Sequence, residues 1–210
     1  MTTPARRERQ VFAETLLAAG PDAPTLCGGW TTRDLAAHIV ARDRRPDSVP
    51  GIAIKAFAGH TKRIQDEIAA GDWSRLVADV RGGPPAWSPT RVDIVERAVN
   101  TAEFFVHHED VLRAQPGWQP RDLDADLVRD LHGALRRSAR LLARKSPAGI
   151  VLRPDGHPDI LANARQPAVV VSGPVPELLL WVFGRQANAR VEYEGPDDLV
   201  AAVRTASFGI

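Results

Sequence analysis

Cysteine is all but missing from this chain of 210 residues, with Cys27 as its single instance. No intrachain disulfide can form, and neither a cysteine-cluster zinc site nor an iron–sulfur site can be built. A reduced, cytoplasmic setting fits that usage. An excess of charge of one sign is missing too. Lys and Arg total 27 against 26 Asp and Glu, so no net field draws the chain to nucleic acid or to an anionic membrane, and neither is expected as a partner. No apolar run approaches the ~20 residues that span a bilayer, and no signal-peptide core follows the polar opening Met1 to Gln10. Export and membrane insertion are therefore not expected. Lysine is confined to Lys55, Lys62 and Lys145 amid abundant Arg and Ala, a bias that GC-rich genomes produce without functional selection. There is no internal repeat and no low-complexity segment. What is present is 44% hydrophobic residues, enough for a substantial core in one large domain or two small ones.

The apolar periodicity of the first half is helical. Val11, Phe12, Thr15, Leu16 and Ala19 mark a helix over about 5–19 that Gly20-Pro21 ends. The next helix starts with Thr31 as N-cap and Asp34 three residues on as the return partner of a capping box, while Trp30 and Leu35 are spaced for a hydrophobic staple. After a charged, proline-broken stretch at 42–50, a third helix is expected over Ile52–Ala70, with a short continuation over Asp72–Val80 before Gly82-Gly83-Pro84-Pro85 forces a loop. Ser88-Pro89 reads as a cap with proline at the first helical position, opening a helix that runs to about Gln115.

The tail changes character. Asp124–Lys145, with Leu127, Leu131, Leu135, Leu141 and Leu142 among many arginines, is expected as a connecting helix. Strand signals follow at Gly149–Leu152, Ala168–Val171 and Arg190–Glu194, with helices at Val175–Phe183 and from Pro196 to about Thr205. The expected organisation is α+β: a helical module over 1–120, a connector over 121–145 and a small α+β module over 146–210.

Two polar anomalies stand out against the apolar faces. Glu103 and His107 lie four residues apart on one helix, so both side chains project from neighbouring points of one face. His38, between Leu35 and Ile39 of the second helix, sits on its apolar side. On a wheel of 100° per residue the stripe Val92, Val95, Val99, Ala102 and Val106 places Glu103 about 60° and His107 about 100° from its centre, with His108 nearly opposite. Glu96 and Asp110 fall on the same side, and either could orient a ligand. Spacing alone leaves the bland readings open. A histidine on an apolar face is most often a hydrogen-bonded core residue, and Glu with His at i,i+4 is also an ordinary surface pair. His60, His132 and His157 default to the surface, Trp181 to the core, and Cys27, beside Gly28-Gly29, to a structural role over a reactive thiol.

The segment Trp30-Thr31-Thr32-Arg33-Asp34-Leu35-Ala36-Ala37-His38 resembles the second-helix motif of the DinB-like superfamily, in particular its mycothiol-dependent maleylpyruvate isomerase branch. Glu103-Phe104-Phe105-Val106-His107 is similar to the Glu-x-x-x-His of that branch's later helix, and 175–185 with 191–199 resemble its small C-terminal domain. Ala41–Pro46 and Asn100–Asp110 look most like an actinobacterial metal-binding family of unassigned reaction. The resemblance implies a DinB-like four-helix bundle followed by a small α+β domain, with His38, Glu103 and His107 on a divalent metal, usually zinc. Two imidazoles and one carboxylate leave a coordination position open, as in catalytic rather than structural zinc. The resemblance further implies a low-molecular-weight thiol such as mycothiol, activated toward a small electrophile in an isomerase or a transferase, with no general acid or base assigned. Arg42, Asp43 and Arg44 are polar-contact candidates that a solvated helix end explains equally well. The alternative is a non-catalytic, metal-dependent binding or regulatory module. Bundles of this type often pair through helix faces, which leaves a homodimer open.

Overall fold

The computed structural model describes residues 2–48, 54, 57–86, 88 and 91–208. The chain divides into two compact units, one reaching to Asp122 and the other from Leu123 onward.

The first unit is helical. Helix α1 (Pro4–Ala19) is capped by Thr3, whose side chain accepts from the Arg6 amide, and carries proline in its first turn. Helix α2 (Thr32–Arg44) has the full capping box: Thr31 accepts from the Asp34 amide and Asp34 accepts from the Thr31 amide. Together these bonds satisfy donors that the first turn leaves open. Helix α3 spans Ala58–Ala69. Helix α4 (Trp73–Gly82) is capped by Asp72 and closed by Gly83 at φ 67°, a conformation that favours glycine. Helix α5 spans Asp93–Leu112. Phe12 and Leu16 of α1, Leu35 and Ile39 of α2, Leu76 and Val80 of α4, and Phe104 and Val111 of α5 meet in one core, with Trp30 and Trp73 packed against it. Each such large apolar side chain contributes roughly 1.5–3 kcal/mol by leaving water.

Three expectations need correction here. The third helix is described from Ala58, with Ile54 not helical, and the expected start near Ile52 lies outside the described residues. Helix α5 begins at Asp93 behind Val92, with no side-chain cap; Ser88 precedes it by several residues, and Pro89 is outside the described residues. The apolar stripe is also only part of the buried surface, with Val106 buried and Ala102 half-buried. Val92 is 57% exposed, and the side chains of Val95 and Val99 lie outside the described residues. Glu96, Asn100, Phe104, Phe105, His108, Glu109 and Asp110 are all buried. Helix α5 is enclosed around much of its circumference, so its polar residues need partners inside the protein.

In the second unit a four-stranded sheet runs in the order β2-β1-β3-β4. Strand β1 (Gly149–Pro154) pairs antiparallel with β2 (Ile160–Asn163) and parallel with β3 (Ala168–Gly173), which pairs antiparallel with β4 (Glu192–Glu194). Ile150, Leu152, Ala162, Val169 and Val171 are buried, following the period of two expected of a sheet with one covered face. Helix α6 (Ala125–Leu142) packs against β2 and against α7 (Val175–Val182), and α8 (Asp197–Thr205) packs against β3. The segment expected as a connector, α6, is thus an integral element of the second unit. Trp181 is fully buried and donates from Nε1 to the Tyr193 hydroxyl at 2.7 Å.

Candidate metal centre

His38 leaves the middle of α2, and Glu103 and His107 leave successive turns of α5. The structure brings these three together. Nε2 of His38 and Nε2 of His107 each lie 3.4 Å from the same Glu103 oxygen, Oε1. One donor atom from each of the three residues lies within 4.8 Å of the other two. Ligand atoms ~2.1 Å from a tetrahedral zinc stand ~3.4 Å apart, so both nitrogen–oxygen separations suit a single small ion. The donor chemistry, two imidazoles and a carboxylate, fits a divalent metal of zinc type.

The surroundings aim these atoms. Asp110, buried, places Oδ2 3.0 Å from His107 Nδ1. An Nδ1–H donated to that carboxylate directs the Nε2 lone pair toward Glu103. Gln65 of α3 donates from Nε2 to His38 Nδ1 at 3.0 Å, which puts that ring's proton on Nε2. A metal on Nε2 requires the proton on Nδ1 instead, and the Gln65 amide then has to turn over and accept through its oxygen. Arg42 is mostly buried, with Nε 3.5 Å from Glu103 Oε1 and Nη1 donating to Asn100 at 2.9 Å. Beside it Asp43 is 7% exposed, and Arg44 pairs with Asp79. These three residues are therefore built into the packing and do not form a solvated helix end.

The charge balance follows from burial. Burial pushes the Glu103 carboxyl up, but Arg42 and the hydrogen bonds from His107 and His38 outweigh it and hold the group well below the usual carboxylate range. Burial pushes His107 down, yet its contacts with Asp110, Cys27 and Glu103 leave the imidazolium stable well above the ordinary histidine range. Without a metal, the cluster is thus an ion pair of Glu103 with His107. A metal has to displace the proton shared in that pair.

One participant escaped the sequence reading. Cys27, half-buried in the loop before α2, donates from Sγ to Asp110 Oδ2 at 3.0 Å and lies 3.7 Å from His107 Nδ1. Cys27, His107 and Asp110 form a second group with metal-donor spacing. Eighty residues separate Cys27 from His107, and nothing local signals that contact. Glu96 is not part of the cluster; it takes hydrogen bonds from Thr3 at 3.0 Å and Arg9 at 3.1 Å. His108 does point away from His107, but into the interior. Its Nδ1 is 2.8 Å from Glu8 Oε1 and its Nε2 2.8 Å from the Thr15 hydroxyl. His60 lies on the surface beside Asp47, and half-buried His132 stacks on exposed His157 in the second unit.

One member of the cluster, His38, borders a cavity of about 610 Å³. His38 lines it together with Trp30, Thr61, Lys62 and Gln65. The Trp30 ring lies 5.2 Å from that of His38, so the residue expected only as a staple also covers one ligand candidate.

Residues 3–86 match the Mycothiol maleylpyruvate isomerase N-terminal domain family; that segment holds His38 and Cys27 but ends before Glu103 and His107. The crystal structure of the mycothiol-dependent maleylpyruvate isomerase is similar across 94% of this chain and 98% of that one, at 16% identity and a TM-score of 0.60. A histidine-to-alanine variant of that enzyme is similar over the same shares, at 16% identity and 0.61. No curated protein matches. The likeness to these two structures is one of fold.

Proposed function

We propose that the protein is a thiol-dependent isomerase or transferase that uses a divalent metal, zinc fitting best, and a low-molecular-weight thiol of the mycothiol kind on a small electrophile. The observation that carries this reading is the convergence of His38 Nε2 and His107 Nε2 on one oxygen of Glu103, beside a cavity that His38 lines. The names of the matching family and of the similar structures support the thiol. A metal bound by these three residues would supply Lewis acidity that stabilises a bound thiol as its thiolate at neutral pH.

The residues of the chain do the rest. Asp110 fixes the His107 tautomer, Gln65 orients His38, and Arg42 keeps Glu103 ionised. The cavity, with Trp30 on its apolar side and Thr61, Gln65, Asp34 and the Lys62–Asp66 pair among its polar groups, offers room for a small molecule. For isomerisation, the thiolate adds to an activated carbon–carbon double bond, the new single bond rotates, and elimination returns the thiolate and the isomerised alkene. For transfer, protonation of the adduct leaves the thiol attached.

Two measurements test this together. Elemental analysis of purified protein is expected to find a divalent metal in the parent and in His108→Ala, and to find it lost in His38→Ala, Glu103→Ala and His107→Ala. Assay with mycothiol and maleylpyruvate is expected to show turnover only in metal-bearing forms. Equal metal content in all five proteins would overturn the ligand assignment. Metal without turnover across a panel of electrophiles would point to a binding or regulatory module instead.

A further inference from the structure

A second cavity lies in the first unit, lined by Thr2, Arg6, Arg9, Gln10, Arg81, Gly82, Pro84 and Arg91, with a volume of about 440 Å³. It shares no lining residue with the cavity beside the candidate metal centre. Four of its eight residues are arginines, drawn from α1, the last turn of α4 and the segment just before α5.

The environment of Arg9 is what makes this a site rather than a patch of surface charge. Arg9 is 5% exposed. Its Nη2 donates to Glu96 Oε1 at 3.1 Å and its guanidinium lies over the Phe104 ring, 5.3 Å from the centroid. Nε and Nη1 are buried and have no hydrogen-bond partner among the described residues. A side chain at Gly83 would collide with that guanidinium, so the turn after α4 is shaped to admit it. Buried donors without acceptors are costly, and a charged one more so.

The two carboxylates that pair directly with these arginines are already committed. Glu96 serves Thr3, Arg6 and Arg9 at once, and Asp93 pairs with Arg6 at 2.9 Å. Arg91 donates to the Pro84 carbonyl, and Arg81 has no acidic partner among the described residues. Four guanidiniums against Asp93, Glu96 and the Asp43 carboxylate that also pulls on Arg9 leave one uncompensated positive charge around one concavity. Guanidinium forks match the oxygen spacing of phosphoryl groups, which carry close to two negative charges at neutral pH. We infer that this arginine pocket binds a phosphoryl dianion, either free phosphate or a phosphate monoester, as a site separate from the metal centre. The volume exceeds that of phosphate alone and leaves room for a small organic group.

Calorimetric titration at constant ionic strength, set with chloride, tests this on the intact chain with three probes: inorganic phosphate, phenyl phosphate and succinate. Saturable binding of phosphate or phenyl phosphate, weakened at least tenfold in Arg81→Ala/Arg91→Ala, is the expected result. Both arginines are exposed, so the double variant is expected to fold, and unchanged metal content and circular dichroism would verify it. Arg81→Glu alone should weaken binding further than Arg81→Ala. Tighter binding of phenyl phosphate than of phosphate identifies the monoester as the ligand, and the reverse identifies free phosphate. No saturable binding in the parent, equal binding in the double variant, or succinate bound as tightly as both phosphates would overturn the inference.

Discussion

Asp43 shows how a single carboxyl can carry a measurable cost. It is 7% exposed, with Arg42 Nη1 3.6 Å from Oδ1, while Oδ2 is buried with no hydrogen-bond partner among the described residues. Burial lifts its pKa from 3.8 to about 6, against the opposing pull of Arg42 and Arg9. Below the unfolded value the group is neutral in both states and costs nothing. As pH rises from about 4 to 6 the unfolded chain ionises first, so stability falls by ~1.4 kcal/mol per unit, and above the folded value the full penalty of roughly 3 kcal/mol persists. Asp43→Asn should therefore keep between pH 4 and 7 most of the stability that the parent loses. Urea unfolding of both proteins across that range measures it, and parallel curves would contradict the account. The residues that converge were legible at this scale where chemistry and spacing coincide: Glu103 and His107 on one helix, His38 against its apolar neighbours, and Asp110 beside His107. Arg42, one turn after His38 on the same helix, was legible only as a polar-contact candidate, and Gln65 and Cys27 were not, because each reaches the cluster from another segment and no local pattern encodes such a contact.

At the scale of elements, the start of α2 does more than end a loop. The Thr31–Asp34 box fixes where the helix begins, and with it the turn on which His38 is carried. Thr31→Ala removes one half of the box and should cost ~1 kcal/mol, read as a lower urea midpoint at unchanged slope; a change below about 0.3 kcal/mol would mean that packing of Trp30 and Leu35 holds the turn without the cap. This box was readable because it is confined to four consecutive residues. Helix α5 was readable only in part, for the opposite reason. Its enclosure lets Glu96, His108 and Glu109 face inward, each satisfied by a partner 4 to 100 residues away, so hydropathy alone did not reveal how much of its circumference is buried. Strand β2 went unseen because four residues, Ile160–Asn163, carry too short an alternation to register.

For the whole molecule, the α+β class and the order of a helical unit before a mixed one were evident from the switch in periodicity after about residue 145. The division itself falls earlier, ahead of α6, because an amphipathic helix looks the same whether it links two units or packs within one. The two units also make the metal proposal testable without an assay. Removing a ligand that binds only the native state withdraws stability from the unit that holds it. Chelation should therefore increase hydrogen exchange in peptides from α2 and α5 while leaving β1, β3 and α7 unchanged; a uniform increase, or none, would count against a metal held by His38, Glu103 and His107.

The half-buried thiol of Cys27 acquires a practical meaning from its position. It shares Asp110 Oδ2 with His107, and it is the only cysteine in the chain. A thiol-specific chromophore or fluorine label can therefore attach at one address alone, one hydrogen bond from the imidazole proposed to hold the metal. The protein carries its own reporter: the rate at which that label goes on, and its signal once attached, give a direct reading of what occupies the centre.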